Sequence, residues 1–141
     1  MLKQFKTMDL KTIETELKKA TDGLLMMSET DAPFEFYHAE NFRDEKLDKD
    51  TVLRLAAMPA EYPFEELELG YFFRNMAQAR PENGDAGMQQ ATRFQHLEKK
   101  LHELLQDVKV YRVGETQKLV LILGRTPDGE IAGLKTMVVE T

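Results

Sequence analysis

The sequence has 141 residues, of which 42% are hydrophobic and 31% charged, proportions typical of one folded domain. Its formal net charge of -6 disfavours direct binding to nucleic acid or to an anionic membrane, because both depend on positive charge. It contains no cysteine, which excludes disulfides, thiolate metal sites and cysteine nucleophiles.

The lengths of the apolar segments indicate whether the chain crosses a membrane or is secreted. None approaches the roughly 20 residues that a membrane-spanning helix needs. The segment Met1–Lys6 lacks the apolar core of a secretion signal, so a cytoplasmic location without membrane attachment is expected. We expect one domain over residues 1–141, in which residues 1–10 form a flexible N-terminal extension.

A first helix is predicted to begin after Asp9 and to end near Gly23. Aspartate is a favourable N-cap, apolar residues recur every three or four positions, and glycine is a frequent helix stop. The apolar residues 24–27 suit either a last helical turn or an extended segment, and the periodicity leaves both open. Residues 34–38 then have the composition of a strand.

The middle of the chain gives weaker signals. Residues 39–50 are polar and predicted as loop, and Asp50 suits the N-cap of a short helix that runs to Met58. Residues 64–69 alternate in part and suggest a strand, and residues 71–76 suggest a short helix.

The longest helix is predicted between a loop at 80–87 and a strand that starts at Val108. An apolar stripe begins at Ala91 and continues through this region, with charged residues off the stripe. His96 and His102 are six positions apart, which places them about 240° apart around a helix. The pair is therefore interpreted as two surface histidines and not as a metal clamp.

The last third of the sequence predicts three strands, 108–113, 118–124 and 130–139. Residues 126–129, Thr-Pro-Asp-Gly, are a strong hairpin turn signal. The run Leu119–Leu123 is apolar throughout, so both faces of that strand should be covered. The fold class predicted is α+β, a single-domain α/β/α sandwich with a largely antiparallel central sheet and helices on both faces.

No short catalytic motif occurs in the sequence. It has no phosphate-binding glycine loop, no paired-histidine zinc motif and no nucleophile elbow. The aromatic run at 71–73 and the pair Met26 and Met27 are interpreted as core residues, which is their commonest role. The residues alone thus predict an acidic binding domain without cofactor, metal site or enzymatic activity.

Several separate segments carry a family resemblance through their order, their spacing and their final residues. The segments are Asp22–Glu29 with Pro33–Glu35, Lys109–Glu115, Gly124–Thr126 with Gly129, Ala132–Leu134, Val138–Thr141, and the helix Ala91–Leu105. From about residue 11 onward, the chain resembles the nuclease A inhibitor family, small proteins that inhibit a sugar-non-specific DNA/RNA nuclease. The resemblance implies the same sandwich fold and no enzymatic activity.

The resemblance also implies a mechanism in which the inhibitor plugs the metal-bearing active site of the nuclease. An acidic residue, here Glu29 with Asp31 near it, would meet a basic catalytic residue. The C-terminal threonine, here Thr141 with Glu140 beside it, would reach the metal. The implied partner is a basic nuclease that depends on a divalent cation, and the cation belongs to that partner. Residues 28–50 hold eight acidic against three basic residues, so part of this segment is expected to steer the partner.

One feature departs from the family. The family carries a tryptophan of the contact surface in the loop before the long helix, whereas this chain has none and its loop is residues 80–87. Tryptophan is a common interface anchor. The alternative function is therefore a non-enzymatic binding or scaffold domain of the same fold that serves a different partner.

Overall fold

The computed structural model describes residues 9–78, 82 and 84–140. Its α-helices are α1 Leu10–Thr21, α2 Lys49–Leu55, α3 Leu69–Phe73 and α4 Gly84–Leu104. Its strands are β1 Leu25–Met26, β2 Ala32–Pro33, β3 Glu35–Ala39, β4 Phe64–Leu67, β5 Gln106–Val113, β6 Gln117–Arg125 and β7 Ile131–Val139. Within this described part, no helix is long and apolar enough to cross a membrane.

The strands form one central sheet and one small hairpin. The central sheet has the order β3-β7-β6-β5-β4, and every neighbouring pair is antiparallel. The strands β1 and β2 pair separately, with Leu25 opposite Pro33. The three strands predicted at the end of the chain thus lie at the centre of the sheet, and β6 is its middle strand.

Helices cover both faces of the sheet. On one face, α1, α3 and α4 pack against residues such as Val120 and Ile122 of β6. On the other face, α2 and its flanking segments pack against Leu121 and Leu123 of the same strand. The continuous apolar run of β6 is therefore buried on both sides, which confirms the α/β/α sandwich predicted from it.

The residues predicted to begin and end the first helix are confirmed. The main-chain N–H of Thr12 donates to the Asp9 side chain at 2.9 Å, so Asp9 is the N-cap of α1. Gly23 has a φ of 72°, a left-handed conformation that glycine adopts without strain. The ambiguous residues after it are extended, because they pair as β1. Asp9 and Leu10 begin α1, and residues 1–8 of the expected extension lie outside the described residues.

Three predicted helix boundaries were wrong. The N-cap of α2 is Asp48 and not Asp50, because the Asp48 carboxylate accepts a hydrogen bond from the Thr51 N–H at 3.1 Å. Helix α2 ends at Leu55 and not at Met58.

Helix α4 begins at Gly84, inside the segment 80–87 that was predicted as a loop. Glycine and aspartate are typical of loops, but an aspartate such as Asp85 also suits the first turn of a helix, so composition does not separate the two.

Gly133 of β7 is required by the close approach of the neighbouring strand. A Cβ at this position would overlap the main-chain carbonyl oxygen of Ile122 in β6. We expect Gly133→Ala to lower the free energy of unfolding by about 3 kcal/mol or more, because the backbone must shift to relieve the overlap. Urea denaturation measures this loss.

The matched control is Gly70→Ala in α3. A Cβ there would meet only the end of the Glu98 side chain, at 3.1 Å, and that side chain can move aside. Its free energy of unfolding should stay within about 1 kcal/mol of the original, since alanine also favours the helix. Equal stability of the two variants would contradict the packing described for the centre of the sheet.

Candidate functional site

The loop of the β1–β2 hairpin, residues 27–31, is fastened to the end of β7. The main-chain N–H of Glu29 donates to the carbonyl oxygen of Val139 at 3.2 Å. The Ser28 hydroxyl accepts from the Val139 N–H at 3.0 Å and donates to the Thr30 carbonyl oxygen at 2.8 Å. The bond between Ser28 and Val139 joins parts of the chain that are 111 positions apart. The hairpin loop and the end of β7 therefore form one local structure.

Glu140, which follows β7, is held by both its main chain and its side chain. Its N–H donates to the carbonyl oxygen of Thr116 at 2.9 Å. Its carboxylate accepts from Lys118 Nζ at 2.9 Å and lies 3.8 Å from the Arg112 guanidinium. The hydrogen bond from Lys118 is the main cause that lowers the pKa of Glu140, and the Glu29 carboxylate acts in the opposite direction. Glu29 and Glu140 are therefore close enough to influence each other.

A cavity of about 440 Å³ lies between the hairpin loop, α3 and the end of β7, and we call it the hairpin cleft. Glu29 and Glu140 both line it, as does Arg112 from β5. Tyr71 and Arg74 form the opposite wall. The guanidinium of Arg74 lies 3.7 Å from the centre of the Tyr71 ring and also donates to the Tyr71 carbonyl oxygen at 2.6 Å. This wall is thus ordered by contacts within the chain.

The structure brings together two of the four residues predicted for the site. Glu29 and Glu140 share the hairpin cleft. Asp31 lies on an adjoining depression of about 360 Å³, between the hairpin and α4, where Arg93 is also found. Thr141 follows Glu140 and lies outside the described residues.

The acidic segment 28–50 does not form one surface. Only its first part lies in the hairpin loop beside the cleft. Farther along, Glu45 pairs with Arg54 at 2.7 Å and Asp48 caps α2, on the other face of the sheet. Glu29 lines the cleft and Asp31 lines the depression beside it. The prediction that this segment steers a basic partner is therefore kept for these two residues.

Exposure at the cleft corrects two interpretations of apolar residues. Phe72, Phe73 and Met26 are buried as expected. Tyr71 is 54% exposed and Met27 is 46% exposed, so neither is a core residue. Tyr71 lies on the outer side of a helix of five residues, and Met27 lies beyond the end of β1. A run of like residues does not show which of its members face solvent.

The sequence did not indicate the cations that hold Glu140. Arg112 and Lys118 lie on the neighbouring strands β5 and β6, where Lys118 pairs with Val138 across to β7. Both strands hold further charged residues, so nothing in the sequence singled these two out. Their common partner could be identified only once the strand register was known.

The arrangement has the chemistry of a binding site. Among the described residues, no group of three histidine or carboxylate side chains could hold a metal ion. His96 and His102 are both exposed, as predicted. A concave surface that places two carboxylates together can receive a basic side chain or a cation carried by a partner.

A prediction about Lys118 checks how Glu140 is held. The substitution Lys118→Met removes the hydrogen bond that lowers the pKa of Glu140. The pKa of Glu140 should therefore rise towards its ordinary value. The original pair stabilises the fold above the ordinary carboxyl pKa, and that contribution is lost as the pH falls through the lowered pKa. A carboxyl ¹³C NMR titration of Glu140 measures the change. The control is Lys99→Met at an exposed position of α4, and it should leave the pKa of Glu140 unaltered. Identical titrations of the original protein and both variants would refute the pairing of Lys118 with Glu140.

Comparison with known proteins identifies a family for this chain. The model of a family described as nuclease A inhibitor-like protein matches residues 11–141. The match includes the hairpin loop, the cleft and the last residues of the chain. No curated protein matches the chain.

Proposed function

Because the chain belongs to the nuclease A inhibitor-like family, we propose that it inhibits a sugar-non-specific DNA/RNA nuclease by occupying that enzyme's active site. The partner is basic and depends on a divalent cation. Its active site must hold phosphate groups with arginine, lysine and the metal. Carboxylates can take the places of those phosphates. The inhibitor itself has no enzymatic activity and binds no nucleic acid directly.

The observation that carries this proposal is the fastening of the hairpin loop to the end of β7. The resemblance assigns two separate segments to the partner, one around Glu29 and one at Thr141. The bonds from Ser28 and Glu29 to Val139 bring the described parts of those segments side by side. Both segments can therefore enter one active site together, which supports a single plug over two independent contacts.

Each site residue has a distinct role in this proposal. Glu29 pairs with a basic catalytic residue of the nuclease, and Asp31 attracts the partner from the adjoining depression. Thr141 supplies a carboxylate oxygen to the partner's metal, directly or through water, since hard cations prefer such ligands. Glu140 orients that last residue, because its own carboxylate is occupied by Lys118 and Arg112.

A second candidate is a binding or scaffold domain of the same fold with another partner. The absence of tryptophan from the sequence favours it, because the resemblance implies a contact tryptophan in the segment that corresponds to residues 80–87 of this sequence. Both candidates act in the cytoplasm without membrane attachment.

A stoichiometric titration of nuclease activity tests the proposed function. Nuclease A, and a panel of other metal-dependent non-specific nucleases, would be held at a concentration well above the expected dissociation constant. We expect activity of the matching nuclease to fall linearly to zero at one equivalent of the protein. Repeating the titration in a large excess of Mg²⁺ excludes inhibition by chelation of the metal. No inhibition across the panel would favour the scaffold candidate.

A further inference from the structure

The described residues expose five large hydrophobic side chains, and three of them line the hairpin cleft or the depression beside it. They are Leu25 at 40%, Met27 at 46%, Met58 at 36%, Tyr71 at 54% and Met88 at 55% exposed. Four belong to the hairpin, α3 or α4, whereas Met58 follows α2 on the other face of the sheet. Single exposed hydrophobic residues are common, but such a concentration on one side marks an interaction surface.

Met27 lies at the centre of this group. It lines the hairpin cleft, where Tyr71 forms the opposite wall. It also lines the depression that holds Leu25 and Asp31, and a third one bounded by α4. Tyr71, Met27 and Leu25 thus form a row across these depressions, which we call the apolar strip. The strip runs directly beside Glu29.

Met27 and Tyr71, two of the three members of the strip, are held in place before any partner binds. The residues on either side of Met27 belong to β1 and to the fastened hairpin loop, and Gln90 Nε2 lies 3.6 Å from its sulfur. Tyr71 is stacked against the Arg74 guanidinium, which is itself bonded to the Tyr71 carbonyl oxygen. An ordered side chain loses little conformational freedom on binding. Burying these two side chains in an interface therefore costs little conformational entropy.

The charges around the strip point to a basic partner. Three arginines line the cleft and the adjoining depression: Arg112 is paired with the Glu65 carboxylate, whereas Arg74 and Arg93 donate to the main-chain carbonyl oxygens of Tyr71 and Ala20 and keep their charge. The acidic side chains Glu29, Asp31 and Glu82 are exposed on the same depressions. A partner approaching the strip meets these exposed carboxylates beside an apolar centre, on a chain whose formal net charge is -6, and this combination complements a basic surface.

We propose that Met27 and Tyr71 are the apolar anchors of the interface with the nuclease, seated on its basic surface next to the active site that Glu29 enters. This inference rests on the proposed function and deepens it, since it assigns interface energy to residues other than Glu29 and Thr141. Apolar and aromatic side chains at the centre of a polar rim commonly carry most of the energy of an interface. Met27 and Tyr71 occupy that position here.

Matched substitutions of exposed apolar residues test the anchors. Met27→Ser and Tyr71→Ser should each raise the inhibition constant for the nuclease found by titration about tenfold or more. Met58→Ser makes the same chemical change as Met27→Ser on the other face, and it should alter inhibition by less than about twofold. All three side chains are exposed, so melting temperatures should stay close to that of the original protein.

The possible outcomes separate this inference from the proposed function. If the original protein inhibits a nuclease and all three variants inhibit equally well, the anchors are refuted while the proposed function stands. If the original protein inhibits none, the proposed function fails and the anchors fail with it. Sedimentation of the free proteins supplies a further outcome. Dimers that dissociate in Met27→Ser, with inhibition unchanged, would assign the strip to a second copy of this chain and also overturn the inference.

Discussion

Appending a few residues after Thr141 should remove most of the inhibition, and deleting Thr141 should weaken it strongly. A metal bond tolerates only a few tenths of an ångström, whereas one residue of strand spans about 3.3 Å. Either change therefore takes the carboxylate away from the partner's cation. Loss of one member of a buried charged contact costs about 2 kcal/mol or more, so the inhibition constant should rise at least about thirtyfold. Inhibition assays of the three chains measure it.

The control carries the same added residues at the N-terminus instead. It should inhibit as well as the original chain, because the carboxylate of Thr141 then stays the last group of the chain. Equal inhibition by the original, shortened and C-terminally extended chains would refute the plug mechanism and leave the fold untouched.

Glu29→Gln should weaken inhibition by at least about tenfold. If Glu29 pairs with a guanidinium or ammonium group in the nuclease, that group stays buried without a counter-charge in the variant, which costs roughly 2–5 kcal/mol. Folding should be unaffected, because the hairpin loop is fastened by the Glu29 main chain and the Ser28 hydroxyl. Inhibition constants and melting temperatures of the two proteins check both expectations.

Glu61→Gln provides the matched comparison for this variant. Glu61 is an exposed glutamate between α2 and β4, and its substitution changes the net charge by the same amount. A similar loss of inhibition in both variants would show that only overall charge matters. An unchanged inhibition constant for Glu29→Gln would remove this residue from the contact.

The sequence was informative wherever a structure depends on neighbouring residues or on an unbroken pattern. Asp9 caps α1 through a residue three positions away, which is a local interaction. The apolar run of β6 requires cover on both faces, and that requirement alone predicted the sandwich. Where two acidic residues compete for one cap, as Asp48 and Asp50 do before α2, the choice depends on packing of the helix against the sheet.

The site was harder to predict because it is assembled by the topology. The order β3-β7-β6-β5-β4 places the end of β7 within reach of Arg112 and Lys118, and no local pattern contains that information. The exposure of Tyr71 likewise depends on how α3 is set against α4 and β5. The family resemblance supplied Glu29 and Thr141, and the described contacts explain why those segments can work together.

Inhibition as a function of nucleic-acid concentration tests the central claim, that one surface of this protein occupies the nuclease active site. The apparent inhibition constant should rise in proportion to substrate concentration above the Michaelis constant, because the hairpin loop and the substrate phosphates compete for the same groups. The nuclease and metal concentrations would be held fixed throughout. An apparent inhibition constant that does not depend on substrate concentration would contradict the claim and place the contact away from the active site.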